Sequence, residues 1–180
     1  MMNESAASPD PVAEPAAYQQ FLLDLLGDED PSSAQESTAD KLKELAKEAG
    51  THLYQQPRPG EWSVGQVIAH LADAEIAMSG RYRWILAQNE PPLVGYDQDL
   101  WVEQLHDEED SVADLIELFE ALRRANVALW RRSGPEQRAR FGIHSERGPE
   151  SYDLCFRMIA GHDRLHIGQI SRALEVVRRS

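Results

Sequence analysis

His162 and His166 stand four residues apart in the stretch Gly161-His162-Asp163-Arg164-Leu165-His166-Ile167-Gly168-Gln169-Ile170. On an α-helix a four-residue step turns about 40° and rises about 6 Å, so both imidazoles leave one face and can converge on one ion. The spacing alone is a weak motif. Its setting adds to it: at about 100° per residue, Cys155, Met158, Ile159, His162, His166, Gln169, Ala173 and Val177 form one stripe with both histidines near its middle. A single inward histidine commonly serves as a hydrogen-bonded core residue. Two of them one turn apart would repel if protonated, and a shared metal removes that conflict. Cys155 lies about 10 Å from His162 along the axis and reads as core, not as a ligand.

Four amphipathic helices are expected to position these residues. The first is predicted over 34–54, where Leu42, Leu45, Ala46, Ala49 and Leu53 recur at three- and four-residue steps; Pro57, Pro59 and Gly60 end it. The second is predicted over 64–87. It starts at a capping box, Ser63 with Gln66, and Trp62 ahead of it can staple onto Val67. His70 sits on the shoulder of its apolar stripe beside the small Ala74 and Ala77, and reads either as a boundary histidine or as a third ligand. Arg81 shares that side about 16 Å farther along the axis, too far to touch the same ion. It would bind an anionic group down a groove or pair with a surface acid.

The third helix is predicted over 111–132, with Asn126 in the middle of its apolar face. A buried Asn must be hydrogen-bonded, either for register or in support of a metal site. The fourth, over 151–178, carries the histidine pair. Between the second and third helices, Tyr96 and Trp101 lie in a long connection with one short helix, where they line a pocket or pack the crossover. Residues 133–149 form an irregular connection in which 138–143 touches the bundle or makes a short strand, and His144 is expected to be exposed. No stretch shows a convincing strand pattern, so the fold class is all-α, a four-helix bundle. The short apolar stretch 18–26 can add a helical turn. Residues 1–17, rich in Ala, Ser, Pro and Glu, are expected to be a disordered leader before a single domain at 18–180.

Composition narrows the function. The 180 residues carry a net charge of −13, and nine of the 31 acids, with no Lys or Arg, fall in the first 40 residues. An acidic chain without a basic stripe is a poor partner for nucleic acid. No apolar run approaches a membrane span, and Met1-Met2-Asn3-Glu4-Ser5 lacks the basic start of a secretory signal. The lone Cys155 excludes an intrachain disulfide. A cytoplasmic protein is the expectation.

Gly60-Glu61-Trp62-Ser63-Val64-Gly65-Gln66-Val67-Ile68-Ala69-His70-Leu71-Ala72-Asp73-Ala74-Glu75, followed about 90 residues later by the HxxxH stretch, resembles the DinB/YfiT-like superfamily. The resemblance implies a four-helix bundle, often dimeric, in which His70, His162 and His166 bind one divalent metal. Zinc or nickel is the leading expectation, with iron or manganese also admitted. Characterised relatives use low-molecular-weight thiols such as bacillithiol or mycothiol. The iron-using subset has an acid two residues after the second His of the pair, where this chain has Gly168.

Three protein ligands leave positions open, as in catalytic zinc sites. A thiol reaching such an ion would be deprotonated at neutral pH. The expected function is therefore a metal-dependent thiol transferase acting on an electrophile in stress or detoxification. A hydrolase using water is the alternative, and a non-catalytic metal-binding bundle a third reading. Around the ligands, Trp62, Asp73, Arg81, Tyr96, Trp101, Asn126 and Gln169 are the candidates for the pocket. The expected partners are a small thiol, an electrophilic substrate and a second copy of the chain.

Overall fold

The computed structural model describes residues 8–179. Three long helices have the predicted bounds because each begins at a serine cap. They are α4 (Val64–Ala87), α6 (Val112–Arg131) and α8 (Tyr152–Val177). Ser63 accepts from the Gln66 amide while the Gln66 side chain accepts from the Ser63 amide. Ser111 and Ser151 accept from the amides of Asp114 and Leu154. Each cap satisfies one amide that would otherwise lack a partner at the helix start.

The region before α4 differs from expectation. The 18–26 stretch belongs to a three-turn helix, α1 (Pro15–Leu26), whose Leu22 and Leu26 are buried against α8. The two helices touch backbone to backbone: a Cβ on Gly161 would lie 1.9 Å from the Leu22 carbonyl oxygen. Of the expected leader, residues 1–7 lie outside the described residues. Asp10 accepts from the amides of Val12 and Ala13, and α1 begins at Pro15. The helix predicted over 34–54 is two helices, α2 (Pro31–Glu36) and α3 (Thr38–Ala49), divided at Ser37. Asp30 caps α2 with Pro31 in its first turn, and Gly50, at φ 52°, ends α3. Leu53 continues the apolar spacing past that glycine, but the chain there is only a single 3-10 turn, Gly50–His52.

After α4 come β1 (Pro92–Leu93), α5 (Gln98–Leu105), then, past α6, α7 (Pro135–Ala139), β2 (Phe141–His144) and β3 (Gly148–Ser151). The strands form a small sheet in the order β1-β2-β3, parallel between β1 and β2 and antiparallel between β2 and β3. Strands of two to four residues, with Pro92 and Pro149 in them, are too short to show a period of two. The sheet also corrects the expectation for His144, which is 2% exposed. Its parallel pairing with Leu93 turns the histidine toward the bundle.

Among the described residues the core has two large apolar parts, besides a small cluster of Leu26, Ala34 and Ala160. One joins α3, α4, α6 and α8 through Leu42, Val67, Leu71, Phe119 and Ile170. The other gathers Tyr82, Ile85, Trp130, Tyr152 and Phe156 near the sheet. Between them runs a polar layer: Glu75 from α4, Arg123 and Asn126 from α6, and His162, Asp163 and His166 from α8 are all buried. Among the described residues no helix is long and apolar enough to cross a membrane.

Candidate metal centre

His70 from α4 and His162 and His166 from α8 meet in this layer, at 1%, 8% and 6% exposure. The Nε2 atom of His162 lies 3.1 Å from Nε2 of His70 and 3.1 Å from Nε2 of His166. The three candidate ligand atoms all fall within 4.8 Å of one another. Among the described residues this is the one such group of His, Cys, Asp and Glu.

Burial lowers the pKa of His70 well below the ordinary value, and His166 adds to the effect. Burial does the same to His162, helped by His166, His70 and Arg123. His166 is brought to about 4, again mainly by burial, against a partial rise from Gln169 and Asp163. All three rings are therefore neutral at neutral pH.

The Oε1 atom of Gln169 accepts from Nδ1 of His166 at 2.8 Å. That bond fixes the tautomer and leaves the Nε2 lone pair facing the other two rings. A single Nε2 proton on His162 can bridge well to only one of its two neighbours, whereas a cation satisfies all three lone pairs. The 3.1 Å separations are close to the edge of about 3.4 Å expected for tetrahedral bonds of about 2.1 Å. The residues fit a divalent metal with an all-imidazole donor set, which suits zinc, nickel, copper or iron.

Trp62 lies over this group. Its ring is 5.0 Å from that of His70 and stacks at 6.5 Å on that of His166. The residue read as a helix staple thus also covers the candidate ligands.

Two neighbouring cavities adjoin the trio. One, of about 410 Å³, is reached by His162 and walled by Arg81, Tyr96, His144, Glu150 and Cys155. The other, of about 680 Å³, lies beside Trp62, His166 and Gln169, with Arg58 and Arg172 on its walls. Pro11, Tyr18, Gln98 and Asp99 border both.

The remaining sequence candidates divide. Arg81 and Tyr96 line the smaller cavity, with the Trp101 ring tilted against that of Tyr96 at 4.4 Å between centroids. Asp73 is not brought to the trio. It accepts from His106, which also bonds Asp110, so Asp73 ties the segment after α5 to α4. Asn126 does not reach the trio's nitrogens either: it donates to Glu75 and Ser79 and accepts from Arg83. Cys155 is core, as read, with its thiol pushed up to about 12 chiefly by burial.

Sequence reasoning missed the ionic part of the layer. Asp163, next to His162, takes both terminal nitrogens of Arg123 and the Thr38 hydroxyl. Arg123 also donates to Glu75. Burial would lower the Arg123 pKa, but Asp163 and Glu75 hold it above the usual arginine range. The available signal was a charged residue at three apolar-face positions, one on each of α4, α6 and α8.

Residues 34–170 match the DinB superfamily, and the chain belongs to it. Two proteins of Oceanobacillus iheyensis are similar to it. One, named "Putative metal-dependent hydrolase OB0413", is 28% identical over 117 residues, 65% of this chain and 67% of its own length. The other, "Putative metal-dependent hydrolase OB0782", is 31% identical over 114 residues, 63% of this chain and 66% of its own. The matched segments thus span about two thirds of each relative. The fold is that of YfiT from Bacillus subtilis, described as a probable metal-dependent hydrolase with an unusual four-helix bundle topology. The TM-score is 0.72 at 21% identity, over 99% of this chain and 93% of that one.

Proposed function

We propose that the chain is a metal-dependent enzyme in which His70, His162 and His166 hold a divalent ion, zinc or nickel, and that it transfers a low-molecular-weight thiol to an electrophile. The observation that carries the reading is that two cavities each reach one of the histidines, one at His162 and one at His166. Two approaches to one centre suit two reactants. When bound, the ion supplies Lewis acidity, lowering the pKa of a thiol or a water that reaches it.

The protein's own part is positional. Gln169 holds the His166 ring in its tautomer, and Trp62 covers the ligands.

A second reading is favoured by the names of the relatives, which describe hydrolases. There water replaces the thiol. Protein purified without a His-tag, loaded with zinc or nickel and mixed with bacillithiol, mycothiol or glutathione and a model electrophile, separates them. Thiol consumption abolished by His162→Ala supports transfer. Thiol-independent ester or amide cleavage with the same dependence supports hydrolysis. Neither reaction in metal-loaded protein contradicts both.

A further inference from the structure

Arg81 is 6% exposed, yet no carboxylate among the described residues forms an ion pair with it. Its Nη2 donates to the Val94 carbonyl at 2.7 Å and lies 3.3 Å from Nε2 of His144. Its Nη1 meets only the Met78 sulfur, at 3.7 Å. Both oxygen and nitrogen partners are neutral, since burial, with Arg147 and Arg81 nearby, holds the His144 pKa at about 4.

The one buried acid on this wall, Glu150, is engaged elsewhere, by Arg147 through two nitrogens and by Gln19. Two guanidinium groups thus share one buried carboxylate, and although Asp10, Asp97, Asp99 and Glu146 also line the cavity, none of them pairs with Arg81. An unpaired buried charge is costly to hold. A charge kept in a cavity that also reaches His162 is the arrangement of an anion site, and a guanidinium edge matches a carboxylate in a bidentate manner.

We propose that Arg81 binds the carboxylate of a small, elongated acid whose reacting end lies at His162. The position of the reacting end rests on the metal-centre reading; the carboxylate site does not. Arg81 and His70 are about 16 Å apart along α4 at 1.5 Å per residue, and their side chains shorten that span, so a ligand with a chain of several carbons is needed.

The probe is 6-mercaptohexanoate, with its methyl ester as control, titrated calorimetrically into the metal-loaded full chain. The acid is expected to bind about 10- to 100-fold more tightly than the ester, the range of one charged hydrogen-bonded pair. Arg81→Met should bring that ratio near one, and Arg81→Lys should restore part of it. Should Arg81→Met not melt cooperatively, Arg81→Gln makes the same comparison. In His162→Ala both affinities should fall while the ratio persists. An acid-to-ester ratio near one in the unsubstituted protein, a ratio that survives loss of Arg81, or no binding of either probe overturns the proposal. A ratio that depends on Arg81, with both affinities unchanged by His162→Ala, overturns the metal-centre reading and leaves the carboxylate site standing.

Discussion

Two arginines are buried in this bundle, and they are treated differently. Arg123 is surrounded: Asp163 and Glu75 take its nitrogens, Thr38 and Asn126 bind the same carboxylates, and the Phe119 ring lies 4.4 Å beneath the guanidinium. Arg81 has one carbonyl, one neutral imidazole and a cavity. The histidine trio resembles Arg81 in this respect, since its inward lone pairs face one another. A charge-paired cluster holds helices in place even though the Arg123 Nε lacks a partner; a buried cation with no carboxylate is reserved for something that arrives. The difference separates the part of the polar layer that keeps the fold from the part that acts.

The largest effect should come from breaking the charge-paired side. Arg123→Met leaves Asp163 and Glu75 as buried carboxylates without a cation, which should cost about 3–5 kcal/mol in urea unfolding. Arg81→Met should cost far less, and equal losses at the two positions would erase the distinction between them.

Next is the support of the metal ligands. Gln169→Leu removes the acceptor that orients His166, and should weaken zinc binding about 10- to 100-fold in competition with a chelator, with little change in the stability of metal-free protein.

The pH dependence of metal-free protein sharpens the comparison further. The folded pKa values of His70, His162, His166 and His144 all lie below the ordinary 6.5, the last two at about 4. As pH falls below about 6.5 the unfolded chain takes up protons that the folded chain does not, so stability declines. It declines toward pH 4, where folded His166 and His144 begin to protonate. Urea midpoints measured from pH 7 to 4 should fall steadily, and a flat profile would mean that these rings are not held neutral. The smallest effect is expected at the capping box: Ser63→Ala should cost about 1 kcal/mol and leave metal affinity unchanged.

Much of this was legible in the sequence. Where an apolar stripe recurs over five or more turns behind a serine cap, as in α4, α6 and α8, the bounds follow closely. The histidine pair and His70 were legible for the same reason, since their faces follow from those stripes. What escaped depends on contacts distant in sequence. Arg123 finds Asp163 40 residues away and Glu75 48 residues away. His144 is turned inward by a pairing with β1, which lies on the far side of α6. The docking of α1 rests on Gly161, whose missing side chain admits the Leu22 backbone; a glycine within a helix does not announce what will approach it. The start of α2, by contrast, had a visible sign in Asp30-Pro31, a cap followed by a favoured first residue.

The central claim is that three imidazoles on α4 and α8 hold one ion. Elemental analysis of tag-free protein, combined with chelator-competed zinc titration of the wild type and of His70→Ala, tests it most directly. One divalent ion per chain, lost or greatly weakened in His70→Ala while the variant still melts cooperatively, is the predicted result. An unchanged metal content in that variant, or a wild-type chain that binds neither zinc nor nickel, would contradict it.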